Sequence, residues 1–195
     1  DALTHAVEAY IGGSTTKKTR KFALLATRLI FKQIYTVYED GNNIEARNDM
    51  LKAAFFAGCA FTRSYVGYVH AVAHTLGGAY NVPHGLANAV LLPFVLESYG
   101  KTAEKKLAKL AYHIHFVSEI TPQEEAAKAF IEMVKDMKKK LNIGDTISGI
   151  KEEDILALSK YADKEANPLY PVPKLMNAKD IRIVFMGTPE FAVPS

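Results

Sequence analysis

Two pairs of side chains in this sequence have the chemistry and spacing of metal ligands. His70 and His74 lie four residues apart in the run YVHAVAHTLGGAYNVPHG, and His84 follows in a Pro-His-Gly turn. Asp1 and His5 are also four residues apart, at the start of the sequence. Because an α-helix repeats about every 3.6 residues, each pair is predicted to lie on one face of a helix.

Neutral imidazole nitrogen and carboxylate oxygen are good donors to Fe, Ni, Co and Zn ions. Asp1, His5, His70 and His84 could therefore close around one divalent ion if folding brings the two pairs together. The alternative for any single histidine on an apolar helix is a hydrogen-bonded core residue. For His74 it is a residue that supports a ligand from behind, or a core residue that caps the end of the helix. No carboxylate separates His70 from His74, so the H-E-x-x-H signature of metal-dependent hydrolysis is absent.

The spacing of apolar residues predicts an all-α fold with no strand before residue 181. Gly77 and Gly78 predict the end of the helix that carries His70, and Pro83 predicts the start of the helix that carries His84. Pro93 predicts a kink or an interruption in that second helix. The predicted helices cover residues 1–10, 16–38, 44–65, 67–76, 85–99, 103–117, 122–141 and 152–162.

Composition limits the possible partners and the cellular location. The chain has 195 residues, 49% of them hydrophobic, which predicts one domain with a single core. It contains no apolar run of about 18 residues, so we expect no membrane partner and no secretion leader. A net charge of +3 gives no support for nucleic-acid binding. The single cysteine, Cys59, cannot form an internal disulfide and fits a cytoplasmic location.

A family resemblance is found in two stretches of the sequence, DALTHAVEAY and GYVHAVAHTLGGAYNVPHGLANAVLLP. They resemble the C-terminal helical domain of iron-containing (group III) alcohol dehydrogenases, which belong to the dehydroquinate synthase-like superfamily. The resemblance covers the chain to about residue 181. It implies that Asp1, His5, His70 and His84 are metal ligands, and an aspartate with three histidines favours the alcohol dehydrogenase branch over the dehydroquinate synthases.

The same resemblance implies a reaction that interconverts a small alcohol and its aldehyde. A divalent metal, Fe²⁺ first and Zn²⁺, Ni²⁺ or Co²⁺ as alternatives, would hold the alkoxide while hydride passes to NAD or NADP. His74 is implied to lie beside the metal and the nicotinamide without being a constant ligand. It would act as a catalytic and cofactor-binding residue that relays a proton or orients the substrate.

Hydride transfer also requires a nucleotide site, and the sequence has no Gly-rich phosphate-binding turn after a strand. In the family an α/β nucleotide-binding domain precedes this region. We therefore expect a truncated, metal-binding half that binds NAD(P) only together with that domain and oxidises no alcohol alone. A non-catalytic metal-binding helical domain is the alternative, and apolar surface left uncovered predicts a possible homo-oligomer.

The last segment of the sequence, IRIVFMGTPEFAVPS, changes character. The β-branched run from Ile181 to Phe185, followed by Gly-Thr-Pro, predicts a strand and a turn. The segment resembles the opening of methionyl-tRNA formyltransferases, but it is too short to carry that activity. We predict a helical metal-binding domain over residues 1–180 and an unrelated tail, a strand or disordered, over residues 181–195.

Overall fold

The computed structural model describes residues 1–186, and within them it contains nine α-helices and no strand. The all-α prediction is therefore confirmed. None of the helices in this part of the chain combines the length and the apolar character needed to cross a lipid bilayer. The helices are α1 (Ala2–Ile11), α2 (Lys17–Glu39), α3 (Ile44–Ser64), α4 (Tyr68–Tyr80), α5 (His84–Tyr99), α6 (Lys101–His113), α7 (Gln123–Lys140), α8 (Glu152–Ala166) and α9 (Ala178–Met186).

Helix α1 lies at the centre of the packing. It contacts α2, α3, α5 and α6, and its Ala6, Val7 and Ala9 are fully buried. Helix α4 packs between α5 and α8, while α6 packs on α7 and α8 on α9. Ala6 and Ala9 of α1 and Ala71 and Ala73 of α4 are fully buried, and such small residues let neighbouring helix backbones approach closely. As a result, the two helices that carry the predicted ligand pairs are both held inside the fold.

The end of α4 differs from the prediction. The helix continues through Gly77 and Gly78 to Tyr80, and it ends at Asn81, whose backbone is left-handed with φ 53°. The Asn81 N–H donates to the Gly77 carbonyl over 3.1 Å. Glycine permits a helix to end but does not force it to, and asparagine is the other residue that tolerates this C-terminal conformation. The predicted start of the next helix is confirmed, since Pro83 precedes α5 directly.

The helical state of Gly78 leads to a stability prediction. Outside Gly78, its chain neighbours and the adjacent backbone of α4, no atom of residues 1–186 lies within 4 Å of the place that a Cβ would occupy there. Gly78→Ala is therefore expected to raise the free energy of unfolding by about 0.5–1 kcal/mol. Urea denaturation of the chain measures this. The control is Gly149→Ala, which should destabilise because φ at Gly149 is +83°. A destabilising Gly78→Ala would mean that the helix ends at the glycines.

Helix α5 runs through Pro93, so the interruption is wrong, whereas the alternative of a kink at Pro93 stays a prediction. Pro93 is buried, and the fully buried Leu91, Leu92 and Leu96 lie on both sides of it. Core packing of these side chains offsets the hydrogen bond that proline cannot make.

The strand predicted from Ile181 to Phe185 is also wrong, because these residues belong to α9. Ile181 and Phe185, four residues apart, are buried against the core, whereas Ile183 is 66% exposed. Packing of this face on α8 outweighs the β propensity of the run. The predicted domain boundary after residue 180 therefore falls inside a helix. Residues 187–195 of the predicted tail lie outside the described residues.

Because Ile181 and Ile183 lie on different faces of α9, the same substitution is expected to change stability differently at the two positions. Ile181→Val is expected to cost about 0.5–1.5 kcal/mol of unfolding free energy, because it removes a buried methylene. Ile183→Val, the matched exposed control, should change stability by less than about 0.5 kcal/mol. Denaturant titrations compare the two variants. A strand would place both side chains on one face, so equal losses would contradict the helix.

Candidate metal centre

The N-terminal end of α1, the first turn of α4 and the first residue of α5 meet at one place. Asp1 precedes α1, and His5 follows one turn later on the same face. His70 lies in the first turn of α4, and His84 begins α5. The two predicted pairs, which are remote along the sequence, are thus brought together by the packing of three helices.

The Asp1 carboxylate lies between the three imidazole rings. Its Oδ1 is 3.3 Å from Nε2 of His84 and 3.6 Å from Nε2 of His70, and its Oδ2 is 3.5 Å from Nδ1 of His5. The ring centroids of His5 and His70 are 4.3 Å apart, and those of His70 and His84 are 5.4 Å apart. All four predicted ligands therefore belong to one cluster.

The spacing of these donors fits a metal ion. Ligands held about 2.1 Å from an ion in a tetrahedral arrangement lie about 3.4 Å from one another, which is close to the separations around Asp1. Single ligand atoms of Asp1, His5 and His70 all lie within 4.8 Å of one another. His84 is not part of that tight trio and joins the cluster through its contact with Asp1.

One atom of the cluster is unsatisfied. His70 is 2% exposed, and its Nε2 has no hydrogen-bond partner among residues 1–186. A buried polar atom without a partner costs about 1–3 kcal/mol. A cation bound beside Asp1 would satisfy this nitrogen, so the residues present fit the metal that their donor set implies.

Two imidazoles of the cluster, those of His5 and His84, are held in the form that binds metals. Burial, and after it the neighbouring imidazole of His70, lowers the pKa of His5 to about 3. Burial also lowers the pKa of His84, with His70 and His74 as further causes. Both rings are therefore neutral near pH 7, and a neutral ring offers a nitrogen lone pair.

A buried carboxylate that sequence reasoning missed supports His70. Glu8 on α1 is 3% exposed, and its Oε2 lies 2.6 Å from Nδ1 of His70. Its Oε1 accepts a hydrogen bond of 2.9 Å from the Val69 N–H. A sequence signal existed, because Glu8 follows His5 by three residues and shares its helix face.

Asn88, also missed, links two of the predicted ligands. Its amide Nδ2 donates to Oδ1 of Asp1 over 2.8 Å and lies 3.0 Å from Nε2 of His84. Asn88 is fully buried and lies one turn after His84 on α5. The amide therefore holds the carboxylate and the most exposed of the predicted ligand rings in a fixed relation.

His74 lies beside the cluster and is oriented from outside it. Its ring is stacked on that of His84 with centroids 5.3 Å apart. Its Nδ1 lies 2.7 Å from Oε1 of Glu165 on α8, and the Tyr170 hydroxyl donates to the same oxygen over 2.8 Å. Burial, followed by the hydrogen bond to Glu165, raises the pKa of Tyr170, so this hydroxyl remains a donor.

A cleft opens next to His74. It has a volume of about 640 Å³, and His74, Glu165 and Tyr161 are among the residues that line it. The side chains of His74 and Glu165 are 43% and 32% exposed, so the predicted catalytic histidine can meet a ligand. No local sequence pattern could have paired these two residues, because 91 positions separate them.

Comparison with known proteins decides the family. The model of the Fe-containing alcohol dehydrogenase family, C-terminal, matches residues 1–187. The chain belongs to this family. It is 39% identical to alcohol dehydrogenase 4 of Saccharomyces cerevisiae over an alignment of 168 residues, and this alignment covers 85% of the chain and 43% of that protein. It is 37% identical over 189 residues to 1,3-propanediol dehydrogenase of Klebsiella pneumoniae, which covers 95% and 48%.

Solved structures of the family agree with the fold. A 1,3-propanediol oxidoreductase superposes with a TM-score of 0.92 at 35% identity, covering 96% of this chain and 50% of that one. An alcohol dehydrogenase from Oenococcus oeni gives a TM-score of 0.91 at 31% identity, covering 96% and 49%. The chain therefore spans about half the length of the relatives it matches, and it corresponds to their helical C-terminal half.

Proposed function

We propose that this chain is the metal-binding half of an NAD(P)-dependent alcohol dehydrogenase, in which Asp1, His5, His70 and His84 hold one divalent ion. Fe²⁺ is the first candidate, given the family, and Zn²⁺, Ni²⁺ and Co²⁺ suit the same donors. The observation that carries the proposal is the buried, unpartnered Nε2 of His70, 3.6 Å from the Asp1 carboxylate.

The ion would supply Lewis acidity that makes the hydroxyl of an alcohol more acidic and the carbonyl of an aldehyde more electrophilic. Residues of this chain would bind the ion and hold its ligands in position. Asp1 would contribute the negative charge of the ligand set, and imidazole nitrogens bind a metal as neutral donors, so part of the ion's charge would stay uncompensated. Asn88 and Glu8 restrict the movement of Asp1, His84 and His70.

His74 would act on the substrate hydroxyl. With Glu165 as the accepting carboxylate, Nδ1 of His74 donates to it, and in the neutral ring Nε2 would accept a hydrogen bond from the alcohol. When that proton moves to Nε2, the carboxylate of Glu165 stabilises the resulting imidazolium. The cleft beside His74 then offers space for a small alcohol or aldehyde.

The substrate class and the nucleotide are inferred from relatives. Among them are an NADPH-dependent butanol dehydrogenase of Clostridium saccharobutylicum, 36% identical, and an NAD-dependent methanol dehydrogenase of Bacillus methanolicus, 34% identical. We infer a small alcohol as substrate and NAD or NADP as hydride acceptor. The other half of the relatives' length would provide the nucleotide site.

Metal analysis combined with an activity assay tests the proposed function. The chain is loaded with Fe²⁺ without oxygen and assayed with NAD and NADP, alone and as a chimera in which it replaces the matching half of the Klebsiella pneumoniae 1,3-propanediol dehydrogenase. We expect one ion per chain, no turnover by the chain alone, and alcohol oxidation by the chimera. A metal-loaded chimera without turnover would favour the non-catalytic metal-binding domain, and turnover by the chain alone would contradict the need for the second half.

A further inference from the structure

We propose that Glu8 is a positioning residue that fixes the tautomer of His70 and joins the start of α4 to the metal ligands. This inference rests on the proposed metal site, and it assigns a role to a buried carboxylate outside the ligand set. Three observations carry it: the two hydrogen bonds of Glu8, the absence of a side chain at Gly67, and the unpartnered Nε2 of His70.

The hydrogen bonds of Glu8 determine which nitrogen of His70 is free. An ionised carboxylate only accepts hydrogen bonds. With Glu8 as a carboxylate, the contact of 2.6 Å between Oε2 and Nδ1 is a hydrogen bond in which Nδ1 of His70 carries the proton and donates it. In the neutral ring the lone pair is then on Nε2, and it is this nitrogen that lies 3.6 Å from Oδ1 of Asp1. A carboxylate behind a ligating imidazole also raises the basicity of the ligand.

The second oxygen of Glu8 stabilises the beginning of α4. The first N–H groups of a helix have no partner within the helix, and the N-cap residue Gly67 has no side chain to offer one. Oε1 of Glu8 accepts from the Val69 N–H instead, and its negative charge lies at the positive end of the helix dipole. One carboxylate from α1 thus caps the helix that carries His70 and orients His70 itself.

Gly67 leaves the space that this arrangement needs. A Cβ at position 67 would lie 2.7 Å from Oε1 of Glu8. Any larger residue would push the carboxylate away from Val69 and His70. The glycine therefore belongs to the same arrangement as Glu8, although it is not itself a predicted ligand.

Glu8→Gln separates the two tasks of the carboxylate, because an amide has only one accepting oxygen. When that oxygen serves the Val69 N–H, the NH₂ group faces Nδ1 of His70 and donates to it. The ring proton then moves to Nε2, where it blocks coordination. We expect the affinity for Co²⁺ or Zn²⁺ to fall about 10–100-fold, as is typical when an outer partner of a ligating histidine is lost.

The experiment measures the ring tautomer and the metal affinity separately. In the metal-free chain, ¹⁵N shifts of the His70 ring are expected to show a proton on Nδ1 in the wild type and on Nε2 in Glu8→Gln. Competition with a chromophoric chelator gives the Co²⁺ and Zn²⁺ affinities. Glu119→Gln, an exposed position, is the matched chemical control, and Val134→Ala is a destabilised control in the core of α7. Both controls are expected to keep the wild-type affinity.

Each outcome decides the role of Glu8. The reversed tautomer together with the lowered affinity supports it, whereas an unchanged tautomer or an unchanged affinity in Glu8→Gln overturns it. An equal loss of metal affinity in Val134→Ala would mean that the loss in Glu8→Gln comes from general destabilisation, and it would also overturn the positioning role of Glu8. A wild-type chain that binds no ion would refute the proposed function, and the tautomer measurement alone would then support or overturn the positioning role.

Discussion

His70→Ala is expected to lower the affinity of the chain for Co²⁺ or Zn²⁺ by more than about a hundredfold, since even the loss of an outer partner of a ligand costs about 10–100-fold. His70 is the most buried of the four predicted ligands, and its Nε2 has no other partner in the described part of the chain. Elemental analysis after dialysis is expected to fall from one ion per chain to none.

The controls for this prediction separate metal binding from folding. His70→Ala leaves the buried carboxylate of Glu8 without its ring partner, so the variant is also expected to be less stable. His70→Gln keeps an amide donor for Glu8, so it should be more stable than His70→Ala. Its metal affinity should be as low as that of His70→Ala. His115→Asn changes an exposed histidine with φ 58°, a conformation that asparagine accepts. Full metal content in His70→Gln would contradict the assignment of this ligand.

Gly67→Ala is expected to cost about 2–4 kcal/mol of unfolding free energy, from a lost helix cap and from overpacking at a buried site. The added Cβ would collide with Oε1 of Glu8, and the carboxylate cannot move without leaving Val69 or His70. Metal affinity is expected to fall together with stability, although no ligand has changed. Thermal and urea unfolding with and without Zn²⁺ measure both effects.

Gly58→Ala is the matched control for Gly67→Ala. Gly58 lies within α3, and a Cβ there would meet no atom of the described residues within 4 Å. Alanine should therefore stabilise that helix by up to about 1 kcal/mol and leave metal affinity unchanged. A Gly67→Ala variant that behaves like Gly58→Ala would show that the tight space around Glu8 is not required.

The sequence predicted helices α1 to α8 and the cluster of Asp1, His5, His70 and His84, for different physical reasons. Helical periodicity is a local property, so the elements of the fold could be derived directly. The spacing of four residues placed each pair on one face, but only the family resemblance indicated that the two pairs meet. Their function as ligands stays a prediction.

The features that sequence reasoning missed depend on packing between distant segments. The run from Ile181 to Phe185 has strand propensity, and only its contact with α8 makes it helical. Gly77 and Gly78 can end a helix, but α4 continues to Tyr80, whose hydroxyl accepts a hydrogen bond of 3.1 Å from the Lys151 N–H. Glu165 reaches His74 from 91 residues away, which no local pattern records.

The most direct test of the metal centre is anomalous X-ray diffraction from crystals of the chain loaded with Fe²⁺ without oxygen. We predict one strong peak at the iron edge, at about 2.0–2.2 Å from ligand atoms of Asp1, His5, His70 and His84. A peak at another place, or a fully loaded crystal in which these four side chains make no contact with the ion, would contradict the account.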